Sequence, residues 1–167
     1  MLATPHMLVG AAVARKLGTG PAGLTAAFLS HFVLDFVPHL DSHRLLGAPV
    51  GGPTKPEAVM AICDFLIGCG LLVWLARHRA QGRAVLLGGL MGVLIDLLDN
   101  VPPWSHFVQQ WPGTLWLSEF HHRFQHNVRP DQWALGFGAQ LAVMIAALWI
   151  LRPSIRLLPE LHSRKEE

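Results

Sequence analysis

Charged residues are scarce in this chain. They make up 14% of the 167 residues, against roughly 25% in an ordinary soluble domain, whereas apolar residues make up 51%. The mean hydropathy of +0.38 is correspondingly positive. This composition argues against an ordinary soluble domain and is typical of an integral membrane protein.

Cysteine and clustered positive charge are also sparse. The two cysteines, Cys63 and Cys69, lie in one apolar segment, where a disulfide is geometrically implausible and no CxxC metal spacing arises, so we interpret both as core residues. The net charge is only +2, and the chain lacks a basic face interleaved with aromatics, so nucleic acid is not an expected partner.

No basic segment precedes the first apolar run, which His6 interrupts, and we therefore expect no cleavable signal peptide.

The apolar residues fall into segments separated by Gly, Pro and polar turns. We predict an all-α fold, a polytopic membrane helical bundle with about five transmembrane helices. A mixed segment at 104–131 carries several tryptophans and is interpreted as an interfacial amphipathic segment. Residues 1–151 would form a single membrane domain and 152–167 a charged cytoplasmic tail. The predicted helices are 4–17, 21–37, 57–77, 84–100 and 132–151.

The distribution of basic residues predicts the orientation of such a bundle. Five passes place the turns at 15–20 and 77–83 and the C-terminal tail on one side, and the loops at 38–56 and 101–131 on the other. Basic residues favour the cytoplasmic side, so we expect the N-terminus outside and the C-terminus inside the inner (cytoplasmic) membrane. The first side holds Arg15, Lys16, Arg77, Arg79, Arg83, Arg152, Arg156, Arg164 and Lys165, and the second holds Arg44, Lys55, Arg123 and Arg129.

Acidic and histidine side chains interrupt these apolar segments. His31 and Asp35 lie four residues apart, which places them on one helix face with Cβ atoms about 5–6 Å apart, close enough to share a metal ion. For an isolated pair of this kind, a hydrogen bond inside the bundle is the commoner explanation. The predicted topology, however, brings all such groups to one end, within about 10 Å of the outer boundary. Ionisable groups at this depth cost several kcal/mol unless paired or coordinating, so we predict a metal site.

Imidazoles mixed with carboxylates, without a thiolate, suit Zn²⁺, with Mn²⁺ or Fe²⁺ as alternatives. The candidate set is larger than the three or four protein ligands that one catalytic zinc takes. We therefore expect either two or more ions or some residues that only orient ligands. The candidate ligands are His6, His31, Asp35, His39, Asp64, Asp96, Asp99, His121, His122 and His126.

A metal site at the outer face of a membrane predicts a hydrolase that acts on phosphate esters. Paired ions can ionise a water molecule and hold phosphate oxygens during a displacement reaction, and lipid headgroups or lipid-linked phosphates lie at this depth. Arg44 and Arg123 are the candidate substrate-binding residues, since arginine binds phosphate oxygens well. The alternative is a metal-binding or structural membrane protein without catalysis. Neither the catalytic base nor the oligomeric state follows from the sequence.

Four stretches, TPHMLVGAA, LSHFVLDFVPHLD, GVLIDLLD and FHHRFQHN, resemble the motifs of small bacterial and archaeal integral-membrane proteins called membrane-bound metal-dependent hydrolases. The HxxxD element is also similar to one in zinc-dependent phospholipase C, an all-helical enzyme with a trinuclear zinc site, which implies phosphoesterase activity on a lipid. In the last motif Gln125 replaces the threonine of an HR-x-x-TH pattern, which leaves either His121 or His122 as the first histidine. The family resemblance implies the ligands His6, His31, Asp35, Asp64, Asp96 and His126.

Overall fold

A computed structural model describes residues 1–41, 46, 54–77 and 81–152. Within these ranges the chain contains helices and no named strand, which confirms the all-α prediction. Two short helices, Trp104–Gln110 and Pro112–Arg123, occupy the segment that was predicted to be interfacial. The helices are α1 (Ala3–Leu17), α2 (Pro21–Asp35), α3 (Lys55–Arg77), α4 (Gly82–Asn100), α5 (Trp104–Gln110), α6 (Pro112–Arg123) and α7 (Trp133–Leu151), the last preceded by a 3₁₀ turn at Pro130–Gln132.

Among the described residues, two helical segments are long and apolar enough to cross a membrane: α3 and Pro130–Leu151, which contains α7. A third crossing results if α4 and α5, which meet at a bend of 76°, form one broken span. Helices α1 and α2 have 15 residues each. At 1.5 Å per residue each is about 22 Å long, shorter than a hydrocarbon core of ~30 Å. The described part of the chain thus contains two or three candidate spans, which indicates a membrane protein, and the prediction of five is not shown.

The outward faces of α3 and α7 carry large apolar side chains that water would not favour. Ile62, Leu66, Leu141 and Ile145 are all more than half exposed, as expected for side chains that contact lipid. Cys63 shares this exposed face, so the prediction that it is a core residue is wrong, while Cys69 is half-buried.

Helix α1 is the centre of the bundle and contacts α2, α3, α4 and α7. Its closest neighbour is α4, because glycines form the interface. A Cβ atom on Gly10 would collide with the backbone of Gly88 and Gly92, and one on Gly92 would collide with the carbonyl oxygen of His6. Such small residues let two membrane helices approach closely. This contact brings the first turn of α1 beside the last turns of α4.

A short backbone pairing joins the segments that follow α2 and α6. His39 pairs with Asn127 as an isolated parallel bridge, and the backbone N–H of His126 donates to the carbonyl oxygen of Asp35 at 2.8 Å. The C-terminal ends of α2 and α6, which are distant in sequence, are thereby held together.

The opposite end of the bundle carries basic residues. There the guanidinium of Arg15 donates to the carbonyl oxygens of Ile150 and Arg152 at 2.8 and 3.0 Å. The C-terminal ends of α1 and α7 therefore lie together, as the predicted topology requires. The tail beyond residue 152 falls outside the described residues, and its separation from the membrane domain stays a prediction.

Candidate metal centre

Four side chains from three helices converge at the N-terminal end of α1. His31 and Asp35 come from the last two turns of α2, Asp96 from the end of α4 and His121 from the end of α6. His31, Asp35 and His121 are fully buried, and the Asp96 side chain is 21% exposed. The four-residue spacing on α2 therefore does place His31 and Asp35 in one cluster, as the sequence predicted.

The distances from the two histidine Nε2 atoms to each other and to the carboxylate oxygens of this cluster are close to those around one tetrahedral ion. His31 Nε2 lies 3.2 Å from Asp35 Oδ2, 3.2 Å from His121 Nε2 and 3.7 Å from Asp96 Oδ1. His121 Nε2 lies 3.6 Å from Asp35 Oδ2 and 3.4 Å from Asp96 Oδ1. A tetrahedral Zn²⁺ with bonds of about 2.1 Å separates its ligand atoms by about 3.4 Å. We call these four atoms the N2O2 cluster.

Hydrogen bonds at the far side of each ring orient both histidines for metal binding. His31 Nδ1 lies 2.8 Å from the carbonyl oxygen of Gly92, and His121 Nδ1 lies 2.9 Å from Asp99 Oδ2. Since a carbonyl or carboxylate oxygen only accepts, both Nδ1 atoms carry the proton and both Nε2 atoms present a lone pair. This is the arrangement in which metal-bound histidines are usually held.

Asp99 is itself fixed by donors on α5 and α6. Ser118 Oγ donates to Asp99 Oδ1 at 2.7 Å, and Gln109 Nε2 donates to its backbone and side-chain oxygens at 2.8 and 3.2 Å. These contacts make Asp99 an orienting residue behind His121 and not a member of the N2O2 cluster. No motif in the sequence singles out Ser118, Gln109 or the Gly92 carbonyl, although the glycine spacing on α4 is typical of a close helix contact.

The cluster needs a positive charge at its centre. The two Nε2 lone pairs face each other at 3.2 Å, and Asp35 Oδ2 is buried without a hydrogen-bond partner in the described part of the chain. Burial lowers the pKa of His121, yet its contacts with Asp96 and Asp99 raise it to about 9. A proton on His121 Nε2 forms a strong hydrogen bond to one of these neighbours at a time, whereas a divalent cation would bind several of the donors at once.

His6 adds a fifth donor beside this cluster. Its ring is fully buried and stacks on His31 with centroids 3.8 Å apart, and its Nε2 lies 3.2 Å from Asp35 Oδ1. Among the described residues neither ring nitrogen has a hydrogen-bond partner. A nitrogen of His6, a nitrogen of His31 and an oxygen of Asp96 lie within 4.8 Å of one another.

The structure separates His121 from His122, which the sequence left open. His121 enters the N2O2 cluster, while His122 is 53% exposed and reaches Asp99 Oδ2 at 3.1 Å. Asp99, His121 and His122 form a further group that could hold an ion, but in that arrangement His121 would use the nitrogen that faces away from the N2O2 cluster.

Asp64 has a structural role in place of the predicted one. Its Oδ2 accepts hydrogen bonds from the backbone N–H groups of Ala3 and Thr4 at 2.6 and 3.2 Å. A carboxylate at this position satisfies free donors of the first turn of α1 and interacts favourably with the helix dipole. The structure therefore does not bring Asp64 into the metal cluster.

Three other predicted site residues also lie apart from the cluster. His39 is buried, with Nδ1 2.8 Å from the carbonyl oxygen of Val37; His126 and Arg123 are exposed. His39 and His126 belong to no metal-competent group among the described residues. Arg44 lies outside the described residues.

Comparisons with known proteins add nothing to this geometry. No protein-family model, curated protein or solved structure matches the chain. The resemblance to membrane-bound metal-dependent hydrolases therefore stays a prediction.

Proposed function

We propose that this protein is a membrane-bound metal-dependent hydrolase. One observation carries the proposal: the Nε2 atoms of His31 and His121 lie 3.2 Å from each other, and each lies 3.2–3.7 Å from an oxygen of Asp35 and an oxygen of Asp96. Zn²⁺ is the preferred occupant because it favours tetrahedral N and O ligands. Mn²⁺ and Fe²⁺ accept the same donors and are the alternatives.

The exposure of Asp96 supports catalysis over a purely structural role. Its side chain is the only one of the four that solvent reaches. A substrate oxygen or water could approach the candidate metal centre on this side, whereas structural zinc sites are closed. When bound, such an ion would lower the pKa of a water molecule and polarise a phosphoryl oxygen.

The position of the N2O2 cluster beside exposed tryptophans supports a lipid phosphate ester as the substrate. Helices α5 and α6, which adjoin the cluster, expose Trp104, Trp111 and Trp116, and tryptophan is enriched at the level of lipid headgroups. In the proposed reaction water adds to phosphorus, the bond from phosphorus to the lipid alcohol oxygen breaks, and the proton from water passes to that alcohol. The excess of basic residues at the other end of the bundle supports an extracytoplasmic site, with Arg123 available to bind a phosphate oxygen.

Metal retention and phosphoesterase activity should be lost together. The test compares purified wild type with Asp35→Asn, measuring metal by mass spectrometry and activity on phosphate mono- and diesters, including a phospholipid. We expect wild type to retain at least about one divalent ion per chain, and Asp35→Asn to bind metal at least 10- to 100-fold more weakly and to lose activity in parallel.

Asp64→Asn is the matched control, because it makes the same change at a carboxylate that caps α1. It should keep both metal and activity. A wild type that binds neither Zn²⁺ nor Mn²⁺ would refute the proposal. A wild type that binds metal but cleaves none of the esters would favour the non-catalytic alternative.

A further inference from the structure

The two oxygens of the Asp35 carboxylate face different donors. Oδ2 points towards the nitrogens of His31 and His121, at 3.2 and 3.6 Å, and belongs to the N2O2 cluster. Oδ1 points away from that cluster and lies 3.2 Å from His6 Nε2. Carboxylates with their two oxygens divided in this way commonly bridge a pair of ions, which then lie about 3.5–4 Å apart.

His6 is a buried imidazole whose polar neighbour among the described residues is the Asp35 carboxylate, 3.2 Å from its Nε2. Its side chain is completely buried, and neither of its ring nitrogens makes a hydrogen bond. Burying an imidazole in this way costs free energy unless a partner compensates. A cation bound to a His6 nitrogen would provide such a partner.

We propose that His6 and Asp35 Oδ1 hold a second divalent cation, which Asp35 bridges to the ion in the N2O2 cluster. Asp96 contributes to the same site, because one of its oxygens lies within 4.8 Å of a His6 ring nitrogen. This inference rests on the proposed function and specifies the centre as dinuclear.

The second site would supply the open coordination positions that a catalytic centre needs. The N2O2 cluster gives its ion four protein donors, which is the number that closes a structural zinc site. The second ion would have only three side chains, and Asp96, which solvent reaches, is one of them. A phosphate group could therefore bind with one oxygen at each ion, as in other two-metal hydrolases.

A competing positive group lies at the same carboxylate oxygen. The amino group of Met1 is 3.2 Å from Asp35 Oδ1. It shows that this side of the carboxylate accommodates a cation, and it is also the alternative to a second ion. If the amino group alone neutralises Asp35 Oδ1, the protein would bind one ion, and His6 would have no role in binding it.

Manganese distinguishes the two arrangements without relying on activity. Protein stripped of metal and reloaded with Mn²⁺ is examined for bound ions and for its electron paramagnetic resonance spectrum. We expect about two ions per chain and the spectrum of an exchange-coupled pair, because a shared carboxylate holds the ions within about 4 Å. His6→Phe, which keeps an aromatic ring stacked on His31 but has no nitrogen donor, should bind about one ion and give the spectrum of an isolated Mn²⁺. His6→Gln provides a second variant if phenylalanine prevents folding, and His126→Ala, at an exposed histidine, should match wild type.

The outcomes separate this inference from the proposed function. A wild type with one uncoupled ion overturns the second site but leaves the proposed hydrolase standing. Two ions in the His6 variants would also overturn it, because His6 would then not be a ligand. If a His6 variant that elutes as folded protein lost both ions, the proposal that His6 binds only the second ion would be overturned. A wild type that binds no ion would refute the proposed function and this inference together.

Discussion

Asp99 orients a side chain of the candidate metal centre without belonging to the N2O2 cluster. Its Oδ2 lies 2.9 Å from His121 Nδ1, on the far side of the ring from the N2O2 cluster. The negative charge makes the imidazole a stronger donor and prevents the ring from turning. Sequence alone placed Asp96 and Asp99 on adjacent turns but could not assign them to different roles.

We predict that Asp99→Asn weakens metal binding without abolishing it. Asparagine keeps an oxygen that can accept from His121 but loses the charge, so the affinity for Zn²⁺ should fall about 10- to 100-fold. Competition with a fluorescent chelator measures this change. Ser118→Ala removes one donor to Asp99 and should have a smaller effect in the same direction. An unchanged affinity in Asp99→Asn would show that His121 does not need this partner.

The predicted site residues that the structure brings together are those whose placement follows from helix periodicity. His31 and Asp35 share a face of α2 wherever that helix packs, and Asp96 lies at the same end of α4. Asp64 was expected at the site because it has the same depth, but depth does not fix direction: α3 is rotated so that this carboxylate reaches the backbone of α1. The choice between His121 and His122 depended on the rotation of α6, which the pairing of His39 with Asn127 helps to set.

At the scale of elements, the contact between α1 and α4 positions His6 and the carbonyl of Gly92. The bounds of the long helices differ from the predicted ones by two residues or fewer at each end, because breakers and turn residues mark them in the sequence. The number of membrane crossings was harder to predict, since apolar composition does not distinguish a 15-residue helix packed inside a bundle from one that spans the bilayer.

We predict that Gly92→Ala destabilises the protein and weakens metal binding. The added methyl group would collide with the backbone carbonyl of His6 and move α4, together with the oxygen that holds His31 Nδ1. The free energy of unfolding should fall by about 1–3 kcal/mol, as in other overpacked cores, which unfolding in mixed micelles measures. Gly70→Ala on α3 is the matched control, because a Cβ atom there meets nothing within 4 Å. It should be neutral or stabilise α3 by up to about 1 kcal/mol, and equal effects of both substitutions would contradict the close contact.

At the scale of the whole molecule, the two ends of the bundle differ in chemistry. The imidazoles and carboxylates of the centre gather where α1 begins and where α2 and α4 end. The other end brings Arg15 against the C-terminal turn of α7, beside Lys16 and Arg152. The orientation of the protein in the membrane therefore decides which aqueous compartment, and which lipid leaflet, the metal centre meets.

The basic residues predict that the metal centre faces away from the cytoplasm. The positive-inside rule places the end with Arg15, Lys16 and Arg152 inside, so a fluorescent reporter fused after Glu167 should be active in the cytoplasm. A phosphatase reporter inserted near Gly51 should be active outside. A cysteine in place of Gly18, in a background without Cys63 and Cys69, should resist impermeant thiol reagents in intact cells and react after permeabilisation. The labelling of position 18 reports the orientation even if α1 and α2 do not cross the bilayer. Gly18 directly follows α1 at the end of the bundle that carries the basic residues. The reverse pattern at all three positions would turn the metal centre towards the cytoplasm, and its substrate would then have to be a phosphate ester of the inner leaflet.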